Sequence, residues 1–288
     1  VNVASSPGEL AVEPRAVAIG TFDGVHRGHR RVFELLVAAG LRPTVITFDP
    51  HPRTALGNRV EMLTTLERRL ELIAAAGVAD ALVVEFDLEL ARLAPEEFAS
   101  VYLGATGTEI VVTGTDFRFG HKRRGDVELL RRLGFDVRPV PLVEGVSSSA
   151  IRAQLREGDV ASAAVALGRP PELDGVVVAG DARGGTLGFP TANVRVPADL
   201  LVPAYGIYAG AAEGRRAAVS IGVNPHYGGA ELRIEAFLLD FSGDLYGRRL
   251  VVELWRRLRE ERAFASEAEL VAQIARDVAG ARAAERPV

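Results

Sequence analysis

Gly20-Thr21-Phe22-Asp23-Gly24-Val25-His26-Arg27-Gly28-His29 is the stretch that decides the fold. It follows a short apolar run, Ala16–Gly20, and opens a helical pattern, Arg31–Ala39, so it reads as the turn between a strand and a helix. His26 and His29 are three apart and share one face of a helical first turn, and Gly28 removes a side chain between them. A helix N-terminus already favours an anion, because its first N–H groups have no intrahelical acceptor. Two imidazoles placed there could stabilise charge developing on a phosphate in a transition state. A polar helix cap is the simpler alternative reading of the same residues.

The strand–turn–helix unit repeats outward from this point. Strand candidates at Thr44–Phe48, Asp80–Phe86, Glu109–Gly114 and Phe135–Val140 alternate with helical patterns at Thr65–Ala76, Pro95–Leu103 and Val127–Leu133. Such alternation predicts an α/β, Rossmann-like domain with a doubly wound parallel sheet and ligands beyond the carboxyl ends of its strands. Helical segments Ala150–Arg156 and Val160–Leu167 are expected to close it, giving a domain over 1–167 and a linker over 168–173 at Gly168-Arg169-Pro170-Pro171. From 174 to 288 the period changes. Val176–Gly180, Ile207–Ala212, Arg216–Ile221, Leu232–Phe241 and Arg249–Trp255 read as hairpin strands of a small antiparallel β-barrel. A C-terminal helix follows, with Ser266 and Glu269 as a capping box and Leu270, Ile274, Val278 and Ala281 as its apolar stripe.

Composition excludes several classes. The 288 residues are 48% hydrophobic and 25% charged, with a net charge of −4, so no basic excess is available for a nucleic-acid partner. There is no cysteine, which removes disulfides, thiolate metal sites and a thiol nucleophile. Lys122 is the only lysine and no GxxxxGK[ST] string occurs, so there is no P-loop. No apolar run reaches membrane-spanning length, and Glu9 and Glu13 interrupt the start of the chain where a secretory signal needs apolar residues. The expectation is a cytoplasmic monomer or weak homo-oligomer with no membrane partner. The histidines at 26, 29, 51, 121 and 226 all lie close to Gly or Pro in turn-like strings.

A second constellation lies at Gly188-Phe189-Pro190-Thr191-Ala192-Asn193. In extended chain Thr191 and Asn193 point to the same side and offer two neutral oxygens. Mg²⁺ suits such a pair, because it takes few protein ligands and completes its shell with water and phosphate oxygens. The glycines at 180, 184, 185 and 188 form a loop able to close over a phosphate ligand. A strand entered through proline is the alternative. Glu235 stands among apolar neighbours on the face of Phe237 and Leu239, where a carboxylate is costly unless paired or used. It is either a general base or the partner of Arg233.

These strings, in order along nearly the whole chain, resemble the prokaryotic bifunctional riboflavin kinase/FMN adenylyltransferases, also called FAD synthases. GTFDGVHRGH is similar to the HxGH motif of their nucleotidyltransferase domain. Thr47–Pro52, Gly114–His121 and Val146–Arg152 follow, the last with Ser149 where threonine is usual. LGFPTAN, Ser220–Pro225 and IEAFLLDFSGDLYG resemble the riboflavin kinase domain. The resemblance implies ATP-dependent phosphorylation of riboflavin to FMN, then adenylyl transfer from ATP to FMN giving FAD and pyrophosphate. It implies His26, His29 and Glu235 as catalytic residues, with Glu235 as base. It also implies ATP binding by Gly20, Phe22, Asp23, Ser148, Ser149, Arg152, Gly188, Pro190, Thr191 and Asn193. Mg²⁺ would lie on Thr191 and Asn193, and flavin against Asp116, Phe117 and Arg259. His226, Ala263 and Ala265 depart from the family strings around the flavin. Two other readings remain: a riboflavin kinase whose first domain is inactive or uses another acceptor, and a non-catalytic flavin-binding regulator.

Overall fold

The computed structural model describes residues 1–180, 188–226 and 229–288. Gly184, Gly185 and the side chain of His226 therefore lie outside the described residues. The chain packs as two units, Val1–Glu61 with Leu66–Val146, and Met62–Thr65 with Ser147–Val288.

The first unit is built on a six-stranded sheet. In chain order its elements are β1 (Asn2–Ala4), β2 (Arg15–Ile19), α1 (Arg27–Ala38), β3 (Arg42–Asp49), α2 (Pro52–Ala55), α3 (Leu66–Ala75) and β4 (Asp80–Glu85). They continue as α4 (Pro95–Phe98), β5 (Thr108–Gly114), α5 (Val127–Arg132) and β6 (Asp136–Val140). The strand order is β1-β4-β3-β2-β5-β6 and every pairing is parallel. β2 is buried at every position, as a central strand covered on both faces must be. The sequence runs outward from β2 through β3 and β4, then restarts on its other side with β5 and β6. The direction of winding therefore reverses between β2 and β5, and the loops after these strands flank the switch point, where open α/β sheets hold ligands. At the opposite end Asp80 is tied to Arg42 and Arg15; these bonds, Arg42 first, hold its carboxyl down at about 2 despite burial. Each expected strand falls on an observed one with shifted ends, and β1 is additional.

The second unit begins with α6 (Ser148–Glu157) and α7 (Val160–Leu167), followed by β7 (Glu172–Val178), β8 (Ala192–Arg195) and β9 (Gly206–Ala212). β10 (Arg215–His226), β11 (Gly229–Leu238), β12 (Arg249–Arg259) and α8 (Glu267–Ala283) complete it. The six strands close into an antiparallel barrel in the order β10-β11-β8-β7-β12-β9. One register row, Tyr208, Val219, Ala236 and Ala192, points inward and is buried throughout. Alternation then sends the next row outward, beneath α8.

Packing moves the division between units away from the linker expected at 168–173. α6 and α7 bury Ile151, Leu155, Val160, Ala163 and Ala164 within the barrel's unit, and the Leu155 carbonyl accepts from the Ala204 amide at 3.0 Å. β7 begins at Glu172, ahead of residue 174. The segment Met62–Thr65 also belongs here. The Met62 amide donates to Asp199, the Met62 carbonyl accepts from Leu201, and the Thr65 hydroxyl meets Asp174. At the other end Ser266 Oγ accepts from the Glu269 amide, capping α8, while the Glu269 carboxylate reaches the Ala265 amide.

Candidate active sites

In the first unit the turn after β2 delivers the histidine pair. His26 is the N-cap of α1: its Nδ1 accepts from the His29 amide at 3.3 Å. In a neutral ring that bond leaves the proton on Nε2. The two imidazoles stack, with centroids 3.6 Å apart and planes 18° from parallel. A Cβ on Gly28 would lie 3.1 Å from the His26 ring, so any larger residue there would press on the stack. Capping and chemistry, alternatives from sequence, are here two ends of one ring.

His29 retains some exposure as a residue, yet its Nδ1 is enclosed without a hydrogen-bond partner among the described residues. Burial first, then His26, lowers its pKa well below 6.5. The imidazole is therefore neutral at pH 7. In a histidine NMR titration of the whole chain, the His29 ring is expected to stay neutral below pH 6.5, where an exposed histidine titrates. As pH falls below that value the unfolded chain takes up this proton before the folded one. Folding stability should then drop by up to about 1.4 kcal/mol per pH unit until the depressed pKa is reached. Titration of the His29 signal near 6.5 would contradict the enclosure.

Gly20, Phe22 and Asp23 lie in the same turn. Phe22 and Asp23 are buried, and Phe22 packs edge-on against His29 at 5.2 Å. Beyond β5, Phe117 lines a cavity of about 290 Å³ with Thr115, Arg118 and Pro139. Asp116 is exposed and is not among the residues lining this cavity. The loop glycine Gly120 packs on Pro95, not on an open site. The other histidines of this unit do local work. His51 Nδ1 accepts from the Arg53 amide at the start of α2, and His121 Nδ1 lies 3.0 Å from the Ala91 carbonyl. Arg123 and Arg124 are exposed.

Ser148, Ser149 and Arg152 sit in the first turns of α6, in the second unit, and not in the unit that carries His26 and His29. The capping serine is Ser147, whose hydroxyl accepts from the Ala150 amide.

The second site lies on the outer face of the barrel. Across adjacent strands Ile207, Ser220, Glu235 and Asn193 stand in register, with Arg259 beside Ile207. All five line a cavity of about 370 Å³ together with Thr191. Thr191 and Asn193 do face the same way, as their spacing predicted. The remaining walls include Phe189, Phe237 and Phe264, with Leu270, Ile274 and Val278 of α8. The Phe189 and Phe237 rings meet edge to face at 5.5 Å. Such walls suit a flat aromatic ligand. Asn193 and Arg233 also line a second cavity, with Gly180 and Arg195. A Cβ on Gly180 would lie 2.2 Å from the Asn193 amide, so the glycine makes room for that side chain.

Glu235 is partly exposed, with Arg233 Nη1 at 3.9 Å. This is a loose ion pair and leaves the carboxylate on the cavity wall. Arg259 is held by Asp277 of α8 through bonds of 2.7 to 3.0 Å. Gly188 and Pro190 flank the entry to β8, Gly188 with left-handed backbone. Ser220 and the α8 stripe residues Leu270, Ile274 and Val278 are wall residues that sequence does not mark as such, since its only cue on α8 is the repeat of apolar residues.

Comparison with known proteins joins the two sites. A family model described as FAD synthetase matches residues 9–151, and one described as riboflavin kinase matches 167–284. The chain is 38% identical to the bifunctional riboflavin kinase/FMN adenylyltransferase of Escherichia coli K12, over 98% of this chain and 95% of that one. Its counterparts in Listeria monocytogenes and Bacillus subtilis are 36% and 35% identical, over 93% and 94% of this chain and 92% and 93% of theirs. Among solved structures, a macrolide-efflux protein from Streptococcus pneumoniae superposes with a TM-score of 0.88 at 31% identity, covering 98% of both chains. With both domain models matched in order and relatives similar from end to end, the chain belongs to the bifunctional riboflavin kinase/FMN adenylyltransferase family.

Proposed function

We propose that the two reactions of FAD biosynthesis are divided between the two units, with phosphorylation on the barrel and adenylyl transfer at the turn after β2. The observation that carries the first assignment is the row Ser220–Glu235–Asn193 beside Thr191 on the wall of an aromatic-walled cavity, with Asn193 also on the wall of a second one. Riboflavin occupies the first cavity near Arg259, and Mg²⁺–ATP enters the second under Gly188 and Pro190. Thr191 and Asn193 supply two neutral oxygens to the metal that ATP brings, a donor set that fits Mg²⁺. Glu235 takes the proton of the ribityl hydroxyl as its oxygen attacks the γ-phosphorus of ATP, the bond to the β,γ-bridging oxygen breaks and ADP leaves. The rest is positioning and charge neutralisation.

In the other unit ATP lies on the Gly20–Asp23 turn and the start of α1, and FMN lies against Asp116 and Phe117. The FMN phosphate attacks the α-phosphate and pyrophosphate leaves. His26, through Nε2–H, and neutral His29 stabilise the charge that develops. Ser148, Ser149 and Arg152, in the first turns of α6, offer hydroxyls and a guanidinium fork to phosphate oxygens. The intact, stacked histidine pair favours a working adenylyltransferase over an inactive one. Among the described residues no helix is long and apolar enough to cross a membrane.

Incubating the chain with riboflavin, ATP and Mg²⁺ and separating the flavins over time should show FMN first and FAD after it. Asn193→Ala should raise the Mg²⁺ and ATP needed for FMN formation by about tenfold, the scale of one lost ligand to a charged group. FAD formation from supplied FMN should continue. Unchanged FMN formation at limiting Mg²⁺ would remove Asn193 from the metal.

A further inference from the structure

Arg69 on α3 is nearly completely buried, at 1% exposure, although its neighbour Arg68 pairs with Glu71 in the ordinary way. A guanidinium in a core costs several kcal/mol unless its hydrogen bonds are satisfied. Here they go to main-chain carbonyls. Nη1 donates to Thr21 at 2.9 Å and Nη2 to Phe48 at 3.3 Å. The Asp49 carboxylate is 3.7 Å away, and Asp23 and Asp49 both favour the charged form against a burial that lowers the pKa. Nε has no partner among the described residues.

The two carbonyls mark where the sheet stops holding the site. β2 ends at Ile19, and the last bond to its neighbour runs from the Gly20 amide to the Ile46 carbonyl. Beyond it the turn leaves the sheet, with Phe22 and Val25 at φ of 48° and 40°. Non-glycine residues hold such backbone only where their surroundings over-determine it. The Thr21 carbonyl is fixed from two directions, by Arg69 and by Thr47 Oγ1 at 3.2 Å. The next residue is Phe22, whose ring packs on His29, and His29 stacks on His26. Since His29 Nδ1 has no hydrogen bond to orient it, packing against Phe22 and His26 sets the ring.

We propose that Arg69 is a positioning residue for adenylyl transfer, tying the turn after β2 to the end of β3 and so holding the His26–His29 pair in its reactive geometry. The proposal rests on the reading of that pair as the adenylyl-transfer site. Arg69 acts through the Thr21 carbonyl and Phe22 without touching substrate, so its loss should lower turnover more than binding.

The test uses the full chain, with FAD formation from FMN and ATP and FMN formation from riboflavin measured on each preparation. For Arg69→Gln, kcat for FAD formation should fall roughly tenfold to hundredfold, the scale of an ångström of misplacement, with KM for ATP and FMN within about threefold. FMN formation should be unchanged, and Arg69→Lys should recover most of the lost turnover. Thr47→Val should show the same pattern more weakly. Its effect should not add to that of Arg69→Gln, because both act on one carbonyl. If Arg69→Gln shows no folded first unit by thermal unfolding, Thr47→Val carries the test. Turnover retained in a folded Arg69→Gln protein, or a loss confined to KM, would overturn the proposal. A His26→Ala control separates the failures. If that variant still makes FAD the site itself is misassigned, and if it does not while Arg69→Gln does, only the positioning role falls.

Discussion

Replacing His26 by alanine is expected to leave a protein that converts riboflavin to FMN and stops there. The ring does two things, capping α1 through Nδ1 and offering a proton on Nε2. Loss of a cap costs about 1 kcal/mol of stability, which an intact sheet tolerates. Loss of a preorganised donor at a developing charge costs roughly 10²–10³ in rate. The second term is the larger, so the phenotype is catalytic. His26→Asn separates the two, because asparagine caps as well as histidine does but cannot place a donor where the imidazole Nε2 lies. Both variants should therefore accumulate FMN, and His26→Asn should unfold at nearly the parent temperature. An equal fall of both activities in His26→Asn would show that the two sites are not separable.

Glu235→Gln is expected to do the reverse. FMN formation should fall by about a hundredfold or more, the contribution of a positioned general base, while FAD formation from supplied FMN persists. The amide keeps the volume of the carboxylate and its place in the row between Ser220 and Asn193. Riboflavin binding, followed by flavin fluorescence, should therefore change little. Arg233 at 3.9 Å loses its ion-pair partner, yet loose, partly exposed pairs contribute on the order of 1 kcal/mol or less. Turnover near the parent value would remove Glu235 as the base.

What the sequence made legible follows the range of each physical signal. β2 through β6 were readable because a parallel strand covered on both faces is an apolar run, bounded by turn residues. β1 was not, since three residues at a sheet edge carry no period. The same-side geometry of Thr191 and Asn193 is local, a matter of strand alternation. Placing Glu235 opposite Asn193 is a register between strands far apart in the chain, and no local pattern encodes it. The amphipathic faces of α6 and α7 were visible, but periodicity does not say which sheet a helix covers. Arg69 was invisible for a related reason: beside Arg68 it reads as half of a solvated charged pair, and only the path of α3 turns it inward.

The placement of Met62–Thr65 carries a consequence for synthesis. These residues emerge from the ribosome among those of the first unit, but their partners at Asp174, Asp199 and Leu201 are translated much later. At cellular elongation rates of roughly 5–20 residues per second the interval is on the order of ten seconds. Throughout it the segment lacks its bonds to Asp174, Asp199 and Leu201, and Met62 and Leu63, buried at the end, are short of that cover. The first unit can gather its sheet meanwhile, because β2 to β6 are complete by Val140. The barrel's unit cannot finish without reaching back to a stretch made before most of that sheet. Ribosome-bound chains stopped before Leu201 therefore present a nick site between Glu61 and Leu66 that full-length chains close.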